Sequence, residues 1–358
     1  MILRPTVCKI NLKNLDANYG FLRKISPVIA VVKADAYGHG AVEVSKTLQR
    51  RNIKMFAVAL IEEGIVLRKQ GIKKPILIGG SIYPFGNFRE VIKYNLTPTI
   101  ASVASAEALS GIARRPVLVH VKVDCGMNRI GLKIRNAYAG ILAISNMKNI
   151  LIGGVYTHFP SADCDIPLTA KQAGEFIELK KKLEAPGICF HASNTAALRL
   201  PHPAFDMIRP GLGIYGLKPY PGFRGIKPVM SVHTKIVFLK KIKKGEKVSY
   251  GGSWSAKKQT TLATLPIGYA DGIRRELSNR GSVIIRGRRF PIAGRVCMDM
   301  LMVDVTDLKR PKIGEDAVLM GREGREQISA EEIAGICGTI NYEITCGISA
   351  RVPRVCVR

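Results

Sequence analysis

From about residue 28 to residue 210, eight short runs rich in β-branched residues alternate with longer amphipathic or alanine-rich stretches. Continuous apolar runs that alternate with helical patterns are typical of buried parallel strands in βα units. Eight such units in one series predict an α/β fold of the (β/α)8, or TIM-barrel, type, and an open doubly wound sheet is the structural alternative. The predicted strands are Val28–Val32, Met55–Leu60, Pro75–Ile78, Thr97–Ile100, Val117–Val123, Ile150–Tyr156, Ile188–His191 and Phe205–Ile208.

The pattern changes after Tyr220, where prolines and glycines accumulate and predict a linker. We place the domain boundary at residue 226, so that residues 1–226 form the barrel and residues 227–358 form a second domain. Alternating segments in this second domain predict a mostly β fold, with a hairpin turn at Gly245 and one late helix, Ser329–Cys337. Its predicted strands are Ser231–Leu239, Val248–Tyr250, Gln259–Leu265, Ser282–Ile285, Met300–Val305 and Ala317–Met320.

The composition excludes several classes of protein. Apolar residues make up 47% of the chain, which is too many for a disordered protein. No apolar run reaches the roughly 18–20 residues of a membrane span, and the first residues lack the apolar core of a signal peptide. The eight cysteines contain no C-x-x-C pair, so we predict neither a metal site nor a redox dithiol, and we expect reduced thiols in a cytoplasm.

The formal net charge of +28 raises the question of a nucleic-acid partner. The positive charge is spread over both predicted domains, no basic tail stands out, and only 6% of the residues are aromatic. A diffuse surface of this kind attracts anions without reading a base sequence. We therefore expect no specific nucleic-acid partner and no membrane partner.

Three strand ends carry polar residues that a barrel mouth could use, because the chemistry of such barrels lies where the strands end at their carboxyl side. Lys33 ends the first predicted strand, and partial desolvation there would favour its neutral, nucleophilic amine. The fifth strand contains Lys122, and Arg129 follows it in a glycine-rich loop. The sixth strand ends at His158. Taken singly, a lysine that reaches solvent or a structural histidine is the simpler interpretation of each.

The loops after the seventh and eighth strands predict a phosphate site. Thr195 offers a hydroxyl at a helix N-terminus, and Gly211 offers backbone N–H groups. Residues 211–216 also match G-x-G-x-x-G, but no acidic residue follows between Leu217 and Gly245 to bind the ribose of a dinucleotide, so we reject an NAD site. A phosphate site beside a lysine at a barrel mouth favours pyridoxal phosphate, held by that lysine as a Schiff base.

In these segments the chain resembles the alanine racemases, a family of barrel-type pyridoxal-phosphate enzymes. The resemblance covers nearly the whole length, from RPTVCKINLKNLDANY near the start to RVPRV at the end. The other motifs that carry it are AVVKADAYGHG, VDCGMNRIG, GVYTHF, MIRPG, VSYGGSW, LPIGYADG, GRVCMD and INYEITCGISARVPR. The order and specificity of these motifs make chance agreement negligible.

The resemblance implies a set of cofactor contacts. Lys33 would hold the cofactor aldehyde, and His158 would pack against the cofactor ring. Arg209 would face the pyridine nitrogen, which would stay unprotonated because arginine does not give up its proton. Asn194 would also bind the cofactor. The residues implied for the phosphate are Tyr37, Thr195, Gly211, Leu212 and Tyr342.

The resemblance also implies substrate contacts and a homodimer with shared active sites. Arg129 would lie near the substrate carboxylate, and Lys122 matches a position that is carbamylated in some members and pairs with that arginine. Tyr250 from the partner subunit would be the second base, because racemisation needs acid–base groups on both faces of the substrate. Met298 and Asp299 of the partner would border the substrate carboxylate. The residues implied for the entry corridor are Asp163, Tyr269, Arg275 and Arg295.

The function implied is the interconversion of L-alanine and D-alanine, which would supply D-alanine for peptidoglycan. A racemase of the same fold that acts on serine or on basic amino acids is the nearest alternative. A barrel-type amino-acid decarboxylase is less consistent with Arg209, because an acidic residue meets the pyridine nitrogen in that related family. A single-barrel cofactor carrier is less consistent with the VSYGGSW and GRVCMD segments of the second domain.

Overall fold

The computed structural model describes residues 3–183, 186–200 and 205–358. Its N-terminal part is built around a parallel sheet whose strands follow one another in sequence order. The strands of this sheet are Ile29–Val31, Met55–Val58, Ile76–Ile78, Thr97–Ile100, Val117–Asp124, Ile150–Tyr156 and Cys189–His191, and the short strand Leu132–Lys133 pairs with the fifth of them. Each of the seven main strands coincides with a predicted one, because β-branched and apolar residues dominate them and the barrel buries them, whereas Leu132–Lys133 was not predicted.

The eighth predicted strand closes the barrel through single bridges. Met207 pairs in parallel with His191 on one side, and Ile208 pairs in parallel with Val28 on the other. The amide N–H of Ile29 donates to the carbonyl of Ile208 at 2.8 Å, which completes the ring of strands. The predicted (β/α)8 barrel is thereby confirmed.

Helices follow the barrel strands and cover their outer face, as βα units require. In the part of the chain described above, the helices of the N-terminal half are Leu12–Leu22, Lys33–Tyr37, Ala41–Arg50, Ile61–Lys69, Phe88–Lys93, Val103–Ile112, Ile134–Ser145, Ile166–Leu183 and Leu212–Tyr215, with 3-10 turns at Phe85–Asn87 and Ala196–Arg199. Within the described residues, no helix is long and apolar enough to cross a membrane. These residues also contain no group of three or more His, Cys, Asp or Glu side chains that could hold a metal ion.

The second half of the chain is mostly β, as predicted. Its main sheet has the order Arg288–Pro291, Ser282–Ile285, Asp316–Glu323, Met230–Lys235, Val7–Asn11 and Arg354–Val357, and Glu326–Ile328 pairs with Asp316–Glu323. A further sheet joins Phe238–Ile242, Thr260–Leu265 and Leu301–Asp304, and a hairpin joins Lys247–Val248 to Trp254–Ser255. The helices are Ala330–Cys337, which was predicted, and Asn341–Gly347, which was not; 3-10 turns lie at Tyr250–Gly252, Tyr269–Asp271 and Arg275–Leu277.

Several features differ from the sequence predictions. The segment predicted as one strand, Ser231–Leu239, forms two strands in different sheets, Met230–Lys235 and Phe238–Ile242, and Tyr250, predicted to end a strand, begins a 3-10 turn. Gly245 does lie in a turn, with φ of 89°, but the strands on either side belong to different sheets and do not pair with each other, so the predicted hairpin is wrong. The strand Val7–Asn11, which precedes the barrel, pairs with Met230–Lys235 and Arg354–Val357 in the second sheet. The division of the chain at residue 226 remains a prediction, and this early strand crosses it.

Candidate active site

A cavity of about 440 Å³ opens at the carboxyl ends of the barrel strands. It is lined by all of the residues that the sequence analysis assigned to the cofactor, and also by Arg129 and Lys122. The predicted residues that meet there are Lys33, Tyr37, Lys122, Arg129, His158, Asn194, Thr195, Arg209, Gly211, Leu212 and Tyr342. Among the described lining residues, four are lysine or arginine and none is acidic. The cavity therefore favours an anionic ligand.

Lys33 lies directly after the first barrel strand. The N–H of Val32 donates to the carbonyl of Ala57 at 2.8 Å, so the chain is fixed to the neighbouring strand up to the residue before the lysine. Lys33 is an exposed residue of this chain, whereas the sequence analysis predicted partial desolvation. The residue therefore lines the cavity without being buried by this chain.

The segment that follows Lys33 has an unusual backbone. Ala34, Asp35, Ala36 and Tyr37 have φ between 50 and 56°, so four consecutive L-residues form a left-handed helical turn. Such a conformation costs about 1–2 kcal/mol per residue and persists only where the surroundings enforce it. The N–H of Ala36 donates to the carbonyl of Val32 at 2.9 Å, and the N–H of Gly38 donates to the carbonyl of Ala34 at 2.9 Å. The turn carries the Tyr37 side chain toward the loop after the eighth strand.

That loop forms a cradle for a phosphate group. A Cβ atom added to Gly211 would lie 2.4 Å from the Tyr37 hydroxyl, so a larger residue would displace the phenol. The N–H groups of Gly211 and Leu212 have no acceptor among the described residues, whereas the next N–H, that of Gly213, donates to the Thr195 hydroxyl at 3.1 Å. Free amide groups at the start of a helical turn, beside hydroxyl groups, suit a phosphate.

Two phenols border this cradle in their protonated form. Burial raises the pKa of Tyr37 well above its usual value, and Tyr342 nearby adds to the effect. Burial also raises the pKa of Tyr342 to about 12, with a smaller contribution from the negative charge of Asp163. Both hydroxyls can therefore donate a hydrogen bond to an anion at neutral pH.

Arg209 is a buried cation that is satisfied mainly by main-chain carbonyl groups. Its guanidinium donates to the carbonyls of Thr157 at 2.6 Å, His191 at 2.7 Å and Ala192 at 3.1 Å. Within the described residues, no carboxylate lies within 4.0 Å of it. Burial lowers the pKa of Arg209 to about 10, so the side chain remains charged at neutral pH. The base of the cavity thus presents a fixed positive charge without an acid.

A chain of hydrogen bonds continues from Arg209 to two buried histidines. Arg209 can only donate, so the His191 Nδ1 atom, 2.8 Å away, must accept. His191 then carries its proton on Nε2 and donates it to His120 Nδ1 at 2.8 Å. Burial lowers the pKa of His191 well below its usual value and that of His120 to about 4, and the Arg209 charge adds to both effects. Both histidines are therefore neutral.

Burial also keeps His158 uncharged and Lys122 partly uncharged at neutral pH. Burial, assisted by Arg209, lowers the pKa of His158 to about 3, so the imidazole that faces the cavity is neutral. Lys122 lies inside the strand Val117–Asp124 and is 3% exposed. Its Nζ donates to the carbonyl of Val123 at 3.0 Å and lies 5.1 Å from the centre of the Tyr156 ring. Burial, followed by Arg209, lowers the pKa of Lys122 to about 7.

The remaining predicted residues do not line this cavity; Asp163 belongs to the barrel half of the chain and the others to the second domain. The exposed fractions of Tyr250, Met298 and Tyr269 are 70%, 52% and 43%, which is high for side chains with large apolar surfaces. The Ser249 hydroxyl donates to the carbonyl of Arg295 at 2.7 Å, so the Tyr250 turn and the Arg295 loop are in contact. The second-domain residues that do not line the cavity are Tyr250, Tyr269, Arg275, Arg295, Met298 and Asp299.

Comparison with known proteins decides the family. Residues 10–219 match the family model described as "Alanine racemase, N-terminal domain", and residues 229–356 match "Alanine racemase, C-terminal domain". The chain belongs to the alanine racemase family. The enzymes of this family are isomerases.

Individual relatives match over nearly their whole length. The alanine racemase of Halothermothrix orenii is 41% identical, over 99% of this chain and 97% of its own. The alanine racemase of Carboxydothermus hydrogenoformans is 42% identical, over 99% of this chain and 100% of its own. Among solved structures, the alanine racemase of Clostridium difficile 630 has a TM-score of 0.93 and 37% identity, over 100% of this chain and 97% of that one.

The structure also contains an ion-pair network that was not predicted from the sequence. The Arg351 guanidinium donates to Asp299 at 2.7 Å and lies 3.5 Å from Asp271. Asp271 is fully buried and also accepts two hydrogen bonds from Arg4, at 2.7 and 3.1 Å. These residues lie within the motifs quoted above, but no sequence pattern links one to another. Their arrangement fixes the loop that carries Asp299.

Proposed function

We propose that the protein interconverts L-alanine and D-alanine with pyridoxal phosphate as its cofactor. The main support for this proposal is the cavity at the barrel mouth. Lys33 lines it together with other basic residues, and none of its described lining residues is acidic. The amide groups of Gly211 and Leu212 are free to bind an anion there. The relatives named alanine racemase support alanine as the substrate. Bound pyridoxal phosphate would withdraw electrons from Cα of the amino acid and so make its proton easier to remove.

The residues of the cavity fit this cofactor. The amide groups of Gly211 and Leu212, with the hydroxyls of Tyr37, Thr195 and Tyr342, would hold the phosphate. Lys33 would bind the aldehyde carbon, and the neutral His158 ring and Asn194 would orient the group. Arg209 would donate to the pyridine nitrogen and, because it keeps its proton, would leave that nitrogen unprotonated.

We assign the proton transfers to two bases. Lys33 would move the Cα proton on one face of the substrate, and Tyr250 of a second subunit would move it on the other. Arg129 would bind the substrate carboxylate, with Met298 and Asp299 of the second subunit beside it. The high exposure of Tyr250 and Met298 supports this assignment, because exposed apolar surface of this kind marks an interface. The corridor to the site would be lined by Asp163, Tyr269, Arg275 and Arg295.

A homodimer with shared active sites follows from this assignment, since one protomer keeps Tyr250 away from the Lys33 cavity. The proposed role is the supply of D-alanine for peptidoglycan in the cytoplasm.

The test of the proposed function is a racemisation assay with purified protein and added pyridoxal phosphate. L-alanine, L-serine, L-lysine and L-arginine are incubated separately, and the enantiomers are separated by chiral chromatography. We expect kcat/KM for alanine to exceed that for each of the others by at least about 10-fold, because a pocket shaped for a methyl group loses binding with larger groups. Turnover of serine or of a basic amino acid in preference to alanine would assign the protein to the alternative racemase function instead.

Lys122 is the residue that we propose as a carbamylation site. A carbamate forms from a neutral amine and carbon dioxide, and burial supplies the neutral amine by lowering the pKa of Lys122 to about 7. A carbamate would replace a buried cation with an anion between the positive charges of Arg209 and Arg129, whose fields act on this lysine. Carbamylation would thereby give Arg129 an anionic partner.

The low pKa of Lys122 predicts a particular pH dependence of stability in carbon-dioxide-free buffer. Between pH 7 and the ordinary lysine pKa of 10.5, the unfolded chain binds a proton that the folded protein does not, so this group makes stability rise with pH. Replacing Lys122 with methionine should stabilise the protein at pH 7, and this gain should shrink as the pH rises, by up to about 1.4 kcal/mol per pH unit.

Urea unfolding of the two proteins between pH 7 and pH 9 measures this difference. The exposed Lys148, replaced by methionine, is the matched control and should show a difference from wild type that does not depend on pH. A gain for the Lys122 variant that is the same at every pH would refute the lowered pKa. If the carbamate forms, added bicarbonate should stabilise the wild type and leave the Lys122→Met variant unchanged.

A further inference from the structure

The carboxylate of Glu63 binds the backbone that follows two neighbouring strands of the barrel. Its Oε1 atom accepts the N–H of Ala34 at 2.6 Å, and its Oε2 atom accepts the N–H groups of Ala59 at 2.8 Å and Leu60 at 3.1 Å. Glu63 lies in the first turn of the helix Ile61–Lys69, so its bonds to Ala59 and Leu60 are those of a helix cap. The bond to Ala34 is different, because it reaches the end of another strand.

The N–H of Ala34 belongs to the peptide group that joins Lys33 to Ala34. A hydrogen bond to that N–H fixes the orientation of this peptide plane and with it the ψ angle of Lys33. On the other side of Lys33, the N–H of Val32 is fixed by the carbonyl of Ala57. The backbone of Lys33 is therefore held from both sides, and Glu63 supplies the second of these two attachments.

The need for such an attachment comes from the left-handed turn that starts at Ala34. Four consecutive residues with φ of 50 to 56° occupy a region that L-residues rarely adopt, so the turn reverts to another conformation unless its ends are fixed. Ala34 is the first residue of this turn, and an ionised carboxylate is a strong acceptor for its N–H. Among the described residues, Lys33 itself forms no ion pair, so Glu63 acts on the backbone and not on the ammonium group.

We propose that Glu63 is a positioning residue for the reaction, which directs Lys33 into the cavity by fixing the Lys33–Ala34 peptide group. This inference rests on the proposed function of Lys33. Glu63 itself does not line the cavity, and Ala59, whose N–H it also binds, does. One carboxylate thus links two segments of the cavity wall.

Two variants separate this role from that of a helix cap. Glu63→Gln keeps the length of the side chain but replaces one acceptor oxygen by a donor, so either the Ala34 N–H or the N–H groups of the cap lose their partner. Glu63→Asp keeps both oxygens on a shorter side chain, which can still cap its own helix but no longer spans the gap to Ala34. Glu62→Gln is the matched control, because Glu62 is the neighbouring exposed residue and makes no hydrogen bond within the described residues.

We expect kcat for alanine racemisation to fall about 10- to 100-fold in both Glu63 variants, with KM within about 3-fold of wild type, because a misdirected base affects the chemical step more than binding. The apparent dissociation constant of pyridoxal phosphate, measured by titrating the cofactor-free protein, should rise about 10-fold for the same reason. Glu62→Gln should match wild type in both measurements. Glu63→Asp should keep the thermal midpoint of the control.

The inference is overturned if both Glu63 variants match Glu62→Gln in kcat and in cofactor affinity, whether or not their thermal midpoints fall. It is also overturned if only Glu63→Gln is impaired and its loss follows a lower thermal midpoint, because this would be a capping effect. If the wild type itself does not racemise alanine, the proposed function fails. The cofactor titration would then still report whether Glu63 directs Lys33.

Discussion

Replacing Lys33 with alanine should lower kcat/KM for alanine by roughly 10³-fold or more and should abolish tight binding of pyridoxal phosphate. The lysine has two roles in the proposed function, since it holds the cofactor aldehyde and moves a proton on one face of the substrate. No other lysine among the described lining residues replaces it, because Lys122 is buried in the barrel wall with its Nζ bonded to Val123. The rate of racemisation measures proton transfer, and the absorbance of the cofactor that stays with the protein after gel filtration measures cofactor binding.

The exposed Lys73 provides the control for this experiment. Lys73→Ala should retain both the activity and the cofactor absorbance of wild type. A Lys33→Ala variant that racemises alanine at the wild-type rate would show that the chemistry does not use this cavity in the way proposed. A variant that loses activity but retains cofactor tightly would restrict Lys33 to proton transfer.

Replacing Tyr250 with phenylalanine should lower racemisation by about 10² to 10⁴-fold, the usual contribution of a positioned acid or base. L-alanine and D-alanine have the same free energy, so kcat/KM must remain equal in the two directions for any variant. The asymmetry expected from the loss of one base therefore appears in isotope exchange. In deuterium oxide, the enantiomer whose Cα proton Lys33 removes should still exchange that proton without inversion, whereas the other enantiomer should not exchange.

A mixture of the two variants tests whether the active sites are shared between subunits. In a dimer of one Lys33→Ala chain and one Tyr250→Phe chain, one site would contain both substitutions and the other site neither. After unfolding and refolding together in equal amounts, about a quarter of the wild-type activity should return, because half of the dimers are mixed and each has one intact site. A mixture as inactive as its two components would place Lys33 and Tyr250 of each site in one chain.

In the isotope-exchange experiment, the outcome that contradicts the two-base assignment is exchange of the Cα proton of both enantiomers by the Tyr250→Phe variant.

Most of the barrel could be predicted from the sequence because most of its strands are short runs of apolar and β-branched residues, and burial on both faces leaves that pattern in the sequence. The strand Val7–Asn11 could not be assigned to a sheet in the same way. Its alternating burial indicates a strand, but its partners lie far along the chain at Met230–Lys235 and Arg354–Val357. Pairing over such separations leaves no local signal. The hairpin predicted at Gly245 was wrong for a related reason, because a turn residue does not show whether the strands on either side of it pair with each other.

Six residues of the cavity could be predicted from their places at or near predicted strand ends: Lys33, Lys122, Arg129, His158, Thr195 and Gly211. The roles of Tyr37, Asn194, Arg209, Leu212 and Tyr342 were implied only by the family resemblance of their motifs. Their environment was not predictable, since it depends on atoms from several elements. The acceptors of Arg209 are main-chain carbonyls, which every residue has and which leave no pattern in a sequence. The left-handed turn after Lys33 contains no glycine among its four strained residues, so the usual signal of such a conformation is absent. From the sequence alone, Glu63 could be identified only as an acidic residue near the start of a helix.

The position of the strand Val7–Asn11 has a consequence for how the chain folds as it is synthesised. The βα units of the barrel can form one after another as they leave the ribosome, because each pairs with its neighbour in sequence. Val7–Asn11 lies between two strands of the second sheet, Met230–Lys235 and Arg354–Val357, and both follow it far along the chain. Val7–Asn11 therefore keeps both edges unpaired until Met230–Lys235 has been translated, and one edge unpaired until Arg354–Val357 follows.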